Sequence, residues 1–184
     1  MSESEIDLLE TVLVETEAAI ASVAPTDLHL PTPCGDFEVA RLVDHLVGWA
    51  NSFAMRLKGV PEMGDPNSYR VDGDPTSEFR QAAQTILGAY RDGGEEAQRL
   101  PVGFVIMEFL VHGWDLGTAT GRSVTFSPAA ADLGLAAGRL MLKPDYRGPG
   151  KSFGYEVEVP DGAGPVDRLV AFMGRDPGWG FSQP

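Results

Sequence analysis

Apolar residues recur every three to four positions through most of the chain, and this spacing predicts a protein built from amphipathic helices. Two of the expected helices carry strong start signals, because Asp74 precedes Pro75 and Ser127 precedes Pro128. Glycine and proline mark the connections between the apolar stretches. The helices are predicted at residues 6–23, 38–57, 75–91, 103–121, 128–142 and 165–173.

The segments outside these helices complete the predicted fold class. Residues 59–75 are rich in glycine and proline and predict a long loop, a kind of segment that is often functional in a compact domain. From Phe153 to Val159 apolar and polar residues alternate, which predicts a short strand or an extended segment. We therefore predict an all-α bundle over residues 1–149 and a small extended and helical appendage over residues 150–184, packed on the same domain.

The helix predicted at residues 103–121 is apolar nearly all round, yet three ionisable residues interrupt it. Glu108, His112 and Asp115 follow one another at spacings of four and three, so their side chains share one stripe of the helix surface. Ionisable groups on a buried helix are costly unless they are paired or bind a metal. Glu and His one turn apart are also a recurring way for one helix to supply two metal ligands.

A histidine on another helix completes a candidate ligand set. His45 lies at the edge of the apolar face of its helix and can point into a bundle. Together with Glu108 and His112 it makes the two-histidine, one-carboxylate set of catalytic zinc sites, which leave one position open. The same set serves non-haem iron, and ordinary buried hydrogen bonds are the alternative reading of all three residues. Asp115 is predicted to support a ligating histidine, with Arg122 or the backbone as its alternative partner.

Other residues are weaker candidates. Trp49 and Arg56 share a stripe of the helix with His45, so Trp49 could line a pocket and Arg56 could face an anionic substrate. An ordinary core aromatic and a solvated or ion-paired arginine are the alternatives. For Cys34 a packed thiol in a connection is favoured over a nucleophile, and His29 is expected to face solvent.

Composition narrows the classes of partner. The chain of 184 residues carries a formal net charge of −13, whereas nucleic-acid and anionic membrane surfaces need clustered Lys and Arg. No apolar run approaches the roughly 20 residues of a membrane span. A single cysteine excludes an internal disulfide framework and fits a reducing compartment. We expect a soluble, cytoplasmic protein without a nucleic-acid or membrane partner, and both a monomer and a homodimer stay open.

Three separated motifs resemble one family. TPCGDFEVARLVDHLVGWANSFA, EFLVHGWDLGTATGR and DRLVAFMGRDPGW are similar, in this order, to segments of the mycothiol-dependent maleylpyruvate isomerase-like proteins of the DinB/YfiT-like superfamily. The resemblance implies a four-helix bundle that holds a divalent metal, usually zinc, on His45, Glu108 and His112. Phe37 departs from the tryptophan usual in the family, and the tail is shorter than the C-terminal domain of the full-length isomerase.

Three functions follow as hypotheses. The first is a metal-dependent enzyme that uses a low-molecular-weight thiol such as mycothiol on a small electrophilic substrate, by isomerisation or S-transfer. The second is a hydrolase in which zinc activates water at the same ligands. The third is a non-catalytic metal-binding bundle that acts through a partner, with the loop 59–75 and the tail as contact surfaces. The resemblance favours the first hypothesis.

Overall fold

The fold of the described residues is all-helical, as the apolar spacing predicts. The computed structural model describes residues 3–35, 37–61, 64–122, 124–149, 151 and 153–180. The seven α-helices of this part of the chain are α1 (Glu3–Ala21), α2 (Val39–Leu57), α3 (Pro75–Asp92), α4 (Glu95–Arg99), α5 (Val102–Ala119), α6 (Pro128–Met141) and α7 (Pro165–Phe172). Single 3-10 turns occur at Pro25–Asp27, Pro66–Ser68 and Pro144–Tyr146.

The helix boundaries agree with the predicted ones to within a few residues where start signals are strong. The Asp74 carboxylate accepts hydrogen bonds from the backbone of Thr76 and Ser77 and caps α3. The Ser127 hydroxyl caps α6 in the same way, through the backbone N–H of Ala130. The helix α4 was not predicted, because five residues are too few to show a helical repeat.

The alternating segment after residue 153 adopts the extended alternative and makes no strand within the described residues. Phe153 forms one isolated bridge with Arg147. Beyond it, the backbone N–H of Val157 donates to the carbonyl of Ala171 on α7. A helix offers a strand only scattered acceptors, so alternation of side chains alone cannot produce a ladder here.

The helix α5 lies at the centre of the molecule. It packs against α1, α2 and α6, while α3 closes the bundle by contacting α1 and α2, and α7 covers α6. Neighbours on three sides explain why α5 has almost no polar face. An aromatic cluster joins α2, α3 and α5 through edge-to-face contacts of Phe53, Phe79 and Phe109, with ring centroids 5.3–5.8 Å apart. This cluster fixes how α2 faces α5.

The C-terminal segment packs on the bundle. Leu169, Phe172 and Met173 belong to the same apolar core as α5 and α6. The guanidinium of Arg147 lies over the ring of Phe172 and donates a hydrogen bond to its carbonyl. Within the described part of the chain, none of the helices combines the length and apolar character that a membrane span requires.

Candidate metal centre

The crossing of α2 and α5 brings the three predicted ligands together. His45 projects from α2, and Glu108 and His112 project from successive turns of α5. The Nε2 atom of His45 lies 3.0 Å from Oε1 of Glu108, and the Nε2 atom of His112 lies 3.6 Å from the same oxygen. The two imidazole centroids are 4.5 Å apart. The helical stripe and the separate histidine therefore form one cluster.

The spacing of these atoms fits a small cation. Ligand atoms about 2.0–2.1 Å from a tetrahedral zinc ion lie about 3.4 Å from one another. The distances of 3.0 and 3.6 Å in the cluster fall on either side of this value. The three ligand atoms lie within 4.8 Å of one another, as a shared ion requires. The geometry is thus compatible with a divalent metal.

Burial and neighbouring charge hold two of these groups in the forms that bind metals. His45 is 6% exposed, and burial lowers its pKa even though Glu108 acts in the opposite direction. Burial by itself raises the pKa of Glu108, but His112 and His45 outweigh it, so this pKa lies below the ordinary range. A neutral imidazole and an ionised carboxylate are the ligand forms that a divalent metal needs.

Asp115 determines which nitrogen of His112 faces the cluster. Its carboxylate is fully buried and lies 3.0 Å from Nδ1 of His112. An ionised carboxylate only accepts hydrogen bonds, so Nδ1 donates and the lone pair of a neutral ring lies on Nε2. That lone pair then faces an oxygen of Glu108, a contact that a cation would stabilise. Arg122, the alternative partner predicted for Asp115, forms an ion pair with Asp27 instead, at 2.8 Å.

Arg175 is the charged neighbour that the sequence analysis missed. It follows α7 in the chain, is 7% exposed, and donates from Nε and Nη2 to the carboxylate of Asp115 at 3.0–3.3 Å. Burial by itself raises the pKa of Asp115, but the charge of Arg175 and the contact with His112 lower it below its ordinary value. No residue spacing indicates a contact across 60 positions. The only signal was the similarity of the closing motif as a whole.

The ligands open into a cavity of about 450 Å³, which we call the metal-site cavity. Trp49 lines it, and its indole Nε1 donates to Asn67 at 3.3 Å. The substrate contact of Trp49 stays a prediction. Much of the remaining wall is apolar or aromatic and includes Phe37, Phe104, Met107, Val111, Phe153 and Met173.

Arg56 is not brought to this cavity. It is exposed on α2 and is absent from the described lining residues. It lies on the stripe of His45, but eleven residues of helix separate the two by about 16 Å. A shared stripe ensures a shared direction and not proximity.

Cys34 also lines the metal-site cavity and is half-buried. It forms a second group of metal-type ligands with His112 and Asp115. Arg175 already engages this carboxylate and places a positive charge beside the thiol, which disfavours a cation there. His29 is exposed, as expected, with 90% of its side chain accessible.

Another groove, of about 490 Å³, lies between α4, α5 and α6. Its wall is mostly apolar and includes Leu100, Val102, Leu133 and Leu140. Among the described residues, both groups of metal-type ligands lie away from this groove. His45, Glu108, His112 and Cys34, which belong to these groups, line the metal-site cavity instead.

A family model and two curated relatives are similar to this chain. A family model for the mycothiol maleylpyruvate isomerase N-terminal domain matches residues 9–117, a range that contains His45, Glu108, His112 and Asp115. The proteins MT0763 and Rv0738 of two Mycobacterium tuberculosis strains, both described as uncharacterized, are each 35% identical over 168 residues. Each match covers 86% of this chain and 90% of the relative. No solved structure shows significant similarity to the chain.

Proposed function

The chain belongs to the mycothiol maleylpyruvate isomerase N-terminal domain family, and we propose that it is a divalent-metal-dependent enzyme that uses a low-molecular-weight thiol on a small electrophile. The observation that carries this proposal is the convergence of His45, Glu108 and His112, with ligand atoms 3.0 and 3.6 Å apart, on the metal-site cavity. The family match supports mycothiol as the type of thiol. The reaction is an isomerisation or an S-transfer.

The residues around the metal-site cavity would have different roles in this reaction. His45, Glu108 and His112 would hold the metal, and Asp115 would orient the ring of His112 through Nδ1. A bound divalent metal such as zinc supplies positive charge that lowers the pKa of a coordinated thiol or water molecule. Trp49 and Phe37 provide apolar surface that excludes water from the electrophile.

The size of the metal-site cavity supports a small substrate. At about 450 Å³ it lies in the lower part of the range of small-molecule sites. Apolar walls around one cluster of charged groups suit a compact electrophile with a single polar end.

The test measures metal content and turnover on the same protein. We expect protein purified without a metal-affinity tag to contain close to one equivalent of zinc or another divalent ion, and to turn over electrophiles only when a thiol is added. His45→Ala and His112→Ala should abolish thiol-dependent turnover while the helical content stays unchanged. Arg56→Ala, on the same helix as His45 but outside the cavity, should retain it.

Each contrary result identifies a different alternative. Turnover that does not depend on added thiol would indicate activation of water, and therefore a hydrolase. Protein that contains no metal and gains no thermal stability when zinc is added would support the non-catalytic alternative. Full activity in His45→Ala would exclude the proposed centre.

A further inference from the structure

Arg175, in the C-terminal segment, lies beside the proposed metal centre, and all three nitrogens of its guanidinium donate hydrogen bonds. Arg175 donates to Asp115 through Nε and Nη2, and through Nη1 to the carbonyl of Met173 at 2.9 Å. Three nitrogens of one guanidinium are thus held inside the protein. The residue lies outside the range 9–117 that the family model matches.

The position of Arg175 is set by the backbone and not only by its ion pair. Its N–H donates to the carbonyl of Val170 at 2.9 Å. The preceding Gly174 has φ +86, and a Cβ added there would lie 2.9 Å from the Cα of Gly154. Glycine is required at this crossing because both the left-handed backbone and the close approach exclude a side chain. The turn therefore delivers the guanidinium to Asp115 at a fixed place.

The contacts then form a chain that ends at the metal ligands. Arg175 Nη2 lies 3.0 Å from Oδ2 of Asp115, and the same oxygen lies 3.0 Å from Nδ1 of His112. A fully buried carboxylate without a partner is costly, so Asp115 depends on these contacts for its place. Arg175 fixes where the two Asp115 oxygens lie, and Oδ2 in turn sets the direction in which Nδ1 of His112 donates.

We infer that Arg175 is a positioning residue of the proposed metal centre: its two-point contact fixes the Asp115 carboxylate, which orients the ring of His112 so that Nε2 faces Glu108 and the metal. The inference rests on the metal site of the proposed function but not on its thiol chemistry. It makes the C-terminal segment part of the functional site, although every metal ligand lies in the bundle. A purely structural ion pair would stabilise the fold and leave metal affinity unchanged.

The first test compares zinc affinities by competition with a chromophoric chelator, without thiol or substrate. Arg175→Met and Asp115→Asn should each weaken zinc binding by about 10- to 100-fold, the usual effect of losing a group that supports a ligand. The double variant should bind zinc about as tightly as the weaker single variant, because Arg175 acts through Asp115. Arg175→Lys, which keeps the charge but loses the two-point contact, should recover part of the affinity.

A matched control comes from the same segment. Arg168 pairs with Asp132 at 2.8 Å on the surface, away from the metal-site cavity, so Arg168→Met should bind zinc like the wild type. Thermal unfolding of each metal-free variant identifies any that fail to fold. Wild-type affinity in folded Arg175→Met, or losses that add fully in the double variant, would overturn the positioning role.

The second test does not require a metal. The chain has three histidines, so imidazole ¹⁵N chemical shifts can be assigned by substitution of His29 and His45. In metal-free wild type the imidazole of His112 should give one set of signals, and in Arg175→Met these signals should shift or broaden, because the ring loses its fixed partner. Unchanged signals in Arg175→Met would overturn the role. Failure of wild type to bind zinc, with the expected change of the His112 signals, would overturn the proposed function alone.

Discussion

Buried histidines and charged side chains distinguish the candidate metal centre from the rest of the core. Among the residues that the structure describes as buried, the histidines and the Asp, Glu, Lys or Arg side chains are His45, His112, Asp115 and Arg175, and all four touch or support one cluster. Isolated buried ion pairs seldom add stability over apolar packing, because desolvation offsets the attraction. A group of buried charges collected at a cavity is therefore better explained by a bound ligand than by stability.

The first prediction separates the two groups of metal-type ligands. Glu108→Gln should reduce zinc affinity by more than the 10- to 100-fold typical of a supporting residue, because it removes an atom that contacts the metal. Cys34→Ser should leave the stoichiometry and affinity unchanged, since Cys34 belongs only to the group with Asp115 and His112. Elemental analysis and chelator competition measure both. A loss of zinc in Cys34→Ser would place the thiol among the ligands.

The second prediction concerns a carboxylate on α1 that belongs to neither group of metal-type ligands. Burial raises the pKa of Glu15, and its Oε2 atom is buried without a hydrogen-bond partner. A raised pKa in the folded state means that folding is favoured below the unfolded value of about 4.3, and that this contribution is lost as pH rises through the folded value. Glu15→Gln should therefore stabilise the protein at pH 7 by less than about 1 kcal/mol, since the side chain is half-buried.

The control for this prediction lies two residues away. Glu17 pairs with Arg80 at 2.7 Å, so Glu17→Gln should give no stabilisation at pH 7. Urea unfolding at a series of pH values should show the advantage of Glu15→Gln shrinking below about pH 4.3. An advantage that is the same at every pH would show that the titration of Glu15 is not its cause.

At the scale of elements, the loop that follows α2 is fastened to that helix and forms one wall of the metal-site cavity. Asn67 lines the cavity beside Trp49, and the backbone N–H of Val71 donates to Asp44 at 3.0 Å. The hydroxyl of Tyr69 donates to Glu78 on α3, and this hydrogen bond raises the pKa of Tyr69 to about 12. The predicted long loop is thus an ordered part of the site in residues 64–71.

Gly48 on α2 makes this packing possible, and its substitution is the third prediction. A Cβ at Gly48 would lie 2.6 Å from the carbonyl oxygen of Pro66 and 2.7 Å from Cβ of Tyr69, so the loop would have to move. We expect Gly48→Ala to destabilise the fold by about 1–3 kcal/mol, as overpacking does. It should also weaken substrate binding more than zinc binding, because it displaces the loop wall and not the ligands.

Gly88 on α3 is the matched control. It lies within a helix, and a Cβ there meets nothing within 4 Å. Gly88→Ala should therefore stabilise the protein by roughly 0.5–1 kcal/mol through helix propensity. Urea unfolding compares the two variants. Equal effects of both substitutions would show that the loop does not press on α2.

At the scale of the whole molecule, the C-terminal segment shares the core of the bundle. Leu169 is fully buried, and α7 packs along α6, which in turn packs on α5. The same segment continues to Arg175, so packing at α7 also sets the position of the charge behind Asp115. We expect the bundle and the appendage to unfold as one unit.

The fourth prediction tests this cooperativity. Leu169→Ala should reduce the free energy of unfolding by about 2–5 kcal/mol, the usual effect of removing a buried leucine side chain. Tryptophan fluorescence reports on both parts of the molecule, because Trp179 lies in the C-terminal segment and Trp49 in the bundle. If the two parts unfold as one unit, the transition followed by fluorescence should coincide with the one followed by far-ultraviolet circular dichroism. Two separate transitions would show that the appendage unfolds independently.

Many of the helices could be predicted, because the signals that form and end a helix lie within a short stretch of sequence. The repeat of apolar residues, the capping Asp74 and Ser127, and the extended character near Phe153 each depend on a few neighbouring residues. Helix α4 was not predicted, because it is shorter than the window in which a helical repeat can be recognised. The sequence could not decide whether the segment near Phe153 is a strand or only extended, because the partner that a strand needs lies elsewhere in the chain.

By itself the sequence determined one edge of the candidate metal centre, because Glu108, His112 and Asp115 lie on one stripe of a single helix. It also identified His45 as able to face them. Only the tertiary structure decided that α2 crosses α5 at that level, which brings His45 to Glu108 and leaves Arg56 about three turns away. The pairing of Arg175 with Asp115 spans 60 residues and depends on how the final turn packs on the bundle. Spacing along a helix is fixed by its geometry, whereas contacts between distant segments depend on the packing of the whole core.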